Sequence, residues 1–327
     1  MRRMFLVRHP ERSGAILALV AGASFALQPV LVRIAFDGGG TVASVGAIRF
    51  AVAAAILALL ARRALAAAPL LTLLPPFALG ATIYGLETGL FFASLERIDV
   101  SLASLLMCSY PALVVAGAVL LRRERASRRR AAALAVALLG VALVLVGGVG
   151  GALDPVGIEL ALAAAVSYAA YVLVSHRMLG TTEPLVLATM LCTGAAVAFA
   201  LGGAATGSLE AAPPATLLVV GAIAVVATVL PIAAFLGAVH RIGPSRATIL
   251  GTIEPPVTIA LSALVFGERL GGLQLFGAGL VVSGVAILQL RRRPNLRPVP
   301  QPVPQPVPQP APQTAPDPLA DPERIAA

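Results

Sequence analysis

Lysine and tryptophan are absent from this chain, and charge of either sign is scarce. Only 12% of its 327 residues are charged, against roughly 25% in an ordinary soluble domain. Cysteine occurs twice, as Cys108 and Cys192, both inside apolar runs and without metal-ligand spacing. That excludes a disulfide framework and leaves two small packing residues. Three widely separated histidines, His9, His176 and His240, form no zinc motif and offer little to an intramembrane metalloenzyme. No G-x-x-x-x-G-K-[ST] loop is present, so no ATP cradle is expected, and no cofactor or metal is implied.

What fills the chain instead is hydrocarbon. Hydrophobic residues make up 58% of it and the mean hydropathy is +0.93. They come in runs of about the 20 residues that cross a ~30 Å hydrocarbon core. The expected fold is therefore an all-α integral membrane protein whose partner is the lipid bilayer. The net charge of +9 could suit nucleic acid, but the arginines sit between apolar runs and not on one soluble face. No nucleic-acid partner is expected, and membrane topology accounts for them better.

Ten spans can be marked, at about 14–35, 42–61, 71–94, 100–121, 131–148, 155–176, 184–203, 215–239, 244–266 and 272–290. The first apolar run continues past twenty residues through Gln28 and Pro29 and reads as a retained span, since a cleaved signal has a shorter core. Residues 1–13 form a basic N-terminal stretch. Residues 291–327 form a proline-rich tail, PNLRPVPQPVPQPVPQPAPQTAPDP in its repetitive part, expected to be extended and disordered. It is either a solvated tail or a docking segment.

Arginine placement predicts orientation. With the N-terminus in the cytoplasm, the inner loops collect Arg62, Arg63, Arg177, Arg241 and the six arginines of 122-RRERASRRR-130, besides those of both termini. The outer loops receive Arg97 and Arg269 alone, and Arg33 lies near the outer end of the first span. Both termini are then cytoplasmic, at the cell inner (plasma) membrane.

Sliding the sequence by 144 residues sets 95-LERIDVSLASLLMCSYPALV-114 over 239-VHRIGPSRATILGTIEPPVT-258. Arg97-Ile98 meets Arg241-Ile242, Pro111 meets Pro255, and Glu124-Arg125 meets Glu268-Arg269. The predicted domains are a five-helix repeat at 14–148 and another at 155–290. An offset of five spans inverts one repeat relative to the other, and the copies of the Glu-Arg loop differ in arginine content as inversion requires. Inverted repeats are an architecture of secondary transporters, with a solute site near the midplane between the halves. A centre built from spans 1, 3, 4, 6, 8 and 9 is expected.

Ionisable and kinking residues inside spans are functional candidates. The substrate pathway or coupling set comprises Gln28, Arg49, Tyr84, Glu87, Tyr110, Tyr171 and Glu254. Pro29, Pro111 and Pro255 are expected helix kinks, since proline removes a backbone hydrogen bond. A carboxyl in apolar surroundings could hold and release a proton, which would suit proton-coupled transport. The competing role is a fixed pair, Glu254 or Glu87 with Arg49 or Arg33, that rivets helices together. Any single tyrosine could equally be packing.

The segments 253-IEPPVTIALSALVFGERLGGLQLFGAGLVVSGVAIL-288 and 109-SYPALVVAGAVLLRRERASRR-129, with Arg49-Phe50 in the second span, resemble tandem EamA domains of the drug/metabolite transporter superfamily. In the first half Tyr110 stands where the second has Glu254, and the glycine before Glu124 is missing. The resemblance implies ten helices, cytoplasmic termini and movement of small metabolites, commonly export of amino acids. The expected function is thus a secondary-active inner-membrane exporter working by alternating access, not an enzyme. Alternatives are a drug or nucleotide-sugar carrier, an importer of a small solute, or a membrane scaffold or sensor acting through the proline-rich tail.

Overall fold

The structure is a computed structural model that describes residues 10–121, 128–147, 154–178, 182–251 and 253–289. The first nine residues, the loop carrying Glu124 and the proline-rich tail lie outside the described residues. Helix is the regular structure throughout, and no strand occurs among the described residues. This follows from the solvent: with no water to satisfy backbone groups, a segment in lipid must satisfy its own, which a helix does.

The helices, in chain order, are α1 (Pro10–Asp37), α2 (Val42–Leu60), α3 (Arg62–Ala67), α4 (Leu70–Leu79), α5 (Gly85–Leu95), α6 (Val100–Met107), α7 (Tyr110–Leu120), α8 (Arg128–Gly147), α9 (Pro155–Met178), α10 (Pro184–Thr206), α11 (Pro214–Ala224), α12 (Leu230–Ile242), α13 (Pro244–Gly251), α14 (Glu254–Phe266) and α15 (Gly272–Gln289). A π-helical turn, Gly80–Tyr84, joins α4 to α5, and another, Val225–Val229, joins α11 to α12. Among the described residues, seven helical stretches are long and apolar enough to cross a membrane: Glu11–Asp37, Val42–Leu60, Leu70–Leu95, Val100–Leu120, Pro155–Ser175, Pro184–Thr206 and Pro214–Ile242. Three shorter apolar helices accompany them, Ala131–Gly147, Glu254–Phe266 and Gly272–Val285. Large side chains on their outer surfaces, such as Leu71, Leu120, Leu218 and Leu264, are exposed, as expected where lipid is the solvent.

The packing repeats itself across the two halves. Helix α1 lies on α12, and the corresponding helices of the other half, α9 and α5, lie on each other; α2 meets α10 and α8 meets α15. Contacts agree in detail. A Cβ added to Gly14 would meet Ile242 Cγ2 at 2.5 Å, and one added to Gly157 would meet Ile98 Cγ2 at 2.7 Å. Gly140 and Gly277 bring the backbones of α8 and α15 together, an added Cβ standing 2.6 and 2.7 Å from the other glycine's carbonyl oxygen. Small residues permit this approach where lipid supplies no hydrophobic drive.

The two ends of the bundle differ. At one end the turns after α1, α5 and α14 are laced together. Thr216 donates to the Gly38 carbonyl at 2.6 Å, Arg33 to the Leu95 carbonyl at 2.7 Å, and Arg97 pairs with Asp154 at 2.9 Å. The Glu268 carboxylate accepts the backbone N–H of Val100 at 2.8 Å and of Ser101 at 2.9 Å, satisfying two orphan donors at the start of α6. One large apolar cluster, including Phe92, Leu95, Val100, Leu105, Val144 and Val220, closes this sealed end. The opposite end holds separate clusters, one of Ala18, Ala238 and Ala247, the other of Leu79, Leu187 and Leu191. Helix α6 packs on α14 at the sealed end, whereas α7 and α13 have no comparable packing among the described residues.

Candidate functional site

Between the halves lies a cavity of about 440 Å³, within the roughly 300–1,000 Å³ usual for small-molecule sites. Gln28, Arg49, Tyr84, Glu87, Tyr110, Tyr171 and Glu254 all line it, as do Pro29, Pro111 and Pro255. The structure thus brings this pathway set and the three prolines together around one cavity, without Arg33. Helices from all the spans expected at the centre contribute, with α2 and α15 in addition.

Backbone breaks aim these side chains. The fourth span stops at Met107 and restarts at Tyr110, with Pro111 in the first turn of α7. The ninth stops at Gly251 and restarts at Glu254, with Pro255 in the first turn of α14. At these two prolines the ladder is interrupted just before the ring, because a first-turn proline has no hydrogen bond to lose. Pro29 differs: α1 runs on through it. The π-helical turns occupy matching places in the two halves and present Tyr84 and Thr228 to the cavity.

Arg49 is 2% exposed. Its Nε donates to Thr228 Oγ1 at 3.0 Å and its Nη2 to Gln28 Oε1 at 2.9 Å, while Nη1 has no hydrogen-bond partner. The guanidinium carbon lies 4.7 Å from the Phe50 ring centroid and 5.5 Å from that of Phe92, within cation–π range. Thr228 in turn donates to the Ile223 carbonyl at 3.0 Å, a bond the π-helical turn makes possible. Glu87 is buried and accepts from Thr88 Oγ1 at 3.0 Å. Neither riveting pair expected from the sequence forms among the described residues. Arg33 bonds Asp37 at 3.2 Å, and neither Glu87 nor Glu254 reaches an arginine.

The chain's four tyrosines stand in a row along the cavity. Ring centroids are 4.5 Å apart for Tyr110–Tyr168, 5.4 Å for Tyr168–Tyr171 and 5.0 Å for Tyr171–Tyr84. Glu254 sits beyond the Tyr110 end, and Arg49 and Glu87 at the Tyr84 end. Thr88, Met107, Thr228 and Thr258 also line the wall and escaped sequence reasoning. Thr228 had a signal, since the 144-residue offset places it over Tyr84; the others carry no polar charge or kink to mark them. Cys108, expected as packing, borders the cavity, whereas Cys192 is buried.

Outside the spans, the Arg97 hydrogen bond holds Asp154 below the usual carboxylate range. Burial, then the like charge of Glu268, pushes Asp99 upward.

Apolar helices in two related halves around a largely apolar, solute-sized cavity with a few ionisable groups define a multi-pass membrane transporter. The sequence profile of the EamA-like transporter family matches residues 12–146 and again 155–290, and the chain belongs to that family. It is 29% identical over 224 residues to a protein of Bacillus subtilis (strain 168) named uncharacterized transporter YcbK, covering 65% of this chain and 72% of that one. It is 28% identical over 220 residues to a probable amino-acid metabolite efflux pump of Salmonella typhimurium, covering 64% and 74%. A solved crystal structure superposes with a TM-score of 0.61 at 18% identity, over 86% of this chain and 97% of that chain. That likeness concerns the fold.

Proposed function

We propose that the protein is a secondary-active carrier that exports amino acids or related small metabolites by alternating access across the inner (plasma) membrane. Ten spans, arranged as five-helix repeats at 14–148 and 155–290, place both termini in the cytoplasm. The observation that carries this reading is the unequal closure of two related halves. At one end α6 packs on α14 and Glu268 caps α6, while among the described residues α7 and α13, in the symmetry-related place, show no comparable packing. Exchanging the two arrangements would move access from the split end to the sealed one, which inverted repeats allow. With the N-terminus inside, the structure is open toward the cytoplasm, the side from which an exporter loads.

Amino-acid export is supported by the name of the Salmonella relative and by a cavity with ionisable groups at both ends of a tyrosine wall. Glu87 and Glu254 are the carboxyls available to carry a coupling proton. The test is metabolite profiling of medium and cell extract, from cells making the protein and matched cells without it. Amino acids or their derivatives should accumulate in the medium only when the protein is made, and collapsing the proton gradient should abolish the difference. Solute accumulating in the cells instead would replace export with import.

A further inference from the structure

The cavity has two electrically distinct ends, and they are not equally satisfied. At one, Arg49 and Glu87 have neutral partners, Gln28 and Thr228 for two of the three guanidinium nitrogens and Thr88 for the carboxylate, with only Nη1 of Arg49 left open. At the other, the Glu254 side chain has no hydrogen bond or ion pair among the described residues, and its helix offers it none. Its neighbours there are Tyr110 and Cys108. Glu254 is exposed, and what it is exposed to is the cavity it lines. A carboxyl kept within a membrane span without any partner is costly and calls for one from outside the chain.

The surroundings narrow down that partner. Tyr110, beside Glu254, meets Tyr168 at 4.5 Å with the planes 72° apart, and both rings border the cavity. Aromatic rings attract cations through their quadrupole, most strongly where water is excluded. A carboxylate together with two such rings suits a protonated amine. Among the described residues that line the cavity Arg49 is the one side-chain cation, and it is held at the Tyr84 end of the tyrosine row.

We infer that Glu254, Tyr110 and Tyr168 form the subsite for a protonated amine on the transported solute. The inference rests on the carrier reading and adds the chemical class that the carrier selects. An amino acid enters through its ammonium group, and a simple alkylamine of similar size also binds. A carboxylic acid of the same carbon skeleton, lacking the amine, is rejected. The Arg49 end is left to act on the rest of the solute.

The test measures binding to the purified full-length protein in lipid nanodiscs with three probes: L-leucine, isopentylamine and 4-methylpentanoate. The two amines should bind at least about tenfold more tightly than the acid. Glu254→Gln should cost the amines about tenfold or more while leaving the acid unchanged. If that variant does not fold, Tyr168→Leu takes its place, with a loss of several-fold confined to the amines. An acid bound as tightly as the amines overturns the inference. So does folded wild-type protein that binds none of the three, or variants that keep full amine affinity. Export from cells that persists unchanged in Glu254→Gln also overturns this subsite, yet leaves the carrier reading standing. Absence of export by wild type, with the amine preference intact in nanodiscs, would overturn the carrier reading alone.

Discussion

A guanidinium inside a membrane protein has to find its hydrogen bonds within the protein, and Arg49 finds two, at Gln28 on α1 and Thr228 on the π-helical turn. Both depend on the planar fork, whose Nε and Nη2 point to different acceptors at once. Arg49→Lys retains the charge but offers one compact donor head. It should lose one bond outright, at about 1.5–3 kcal/mol for a charged hydrogen bond, and lower the melting temperature of the detergent-solubilised protein by several degrees. A melting curve unchanged from wild type would mean that the fork is not structural. Asp99, outside the spans, supplies the pH argument. Its carboxyl is pushed upward by burial and by Glu268, so its charged form opposes the sealed end and stability rises as pH falls through its folded-state value. The Asp99 side chain makes no capping hydrogen bond that Asp99→Asn could lose, so the substitution should stabilise the protein at pH 7.5 and not at pH 4. Because Asp99 is exposed, the gain is under about 1 kcal/mol.

Elements show what the sequence could and could not tell. Long apolar runs and the 144-residue repeat made the helices and their duplication legible, with Pro111 and Pro255 expected as matched kinks where the structure has breaks. The π-helical turns were not legible, because no residue type marks an extra residue inserted into a helix; only the repeat could have linked Thr228 to Tyr84. Nor was the contrast between sealed and split ends, which depends on Glu268 reaching 168 residues back to Val100. Close helix packing rests on Gly140 and on Gly277 in 277-GAGLVVSGVA-286. Gly140→Val should cripple folding, since its Cβ would stand 2.6 Å from the Gly277 carbonyl and 2.7 Å from the Val281 nitrogen, both backbone atoms that cannot turn aside. Gly279→Ala, on the same helix as Gly277 with nothing within 4 Å of an added Cβ, should fold as wild type. Fluorescence-detected gel filtration of the two variants reads the difference: a sharp monodisperse peak for Gly140→Val would disprove the tight α8–α15 contact.

For the whole molecule the question is what keeps one end shut. The apolar cluster there is broad, but apolar surface closes against many partners, and hydrogen bonds fix the register. Glu268 is placed to do this: one carboxylate holds two consecutive backbone N–H groups at the start of α6 and lies just past Gly267, where α14 ends in a left-handed turn at φ +69°. It thereby ties the turn after α14 in the second half to the first turn of α6 in the first half, across the plane where the halves would separate. Glu268→Ala leaves the α6 donors to water and should shift the population toward opening at that end, without unfolding the bundle. Ser104, buried on α6 at the cavity wall, is the reporter. Ser104→Cys, in a background with Cys108 and Cys192 replaced by alanine, should resist a membrane-impermeant maleimide applied to the sealed side of wild-type protein. Adding Glu268→Ala should speed that labelling several-fold, while labelling from the split side slows as the two states share the population. Equal labelling from the sealed side with and without Glu268 would show that the apolar cluster alone holds the closure, and that the carboxylate merely caps a helix.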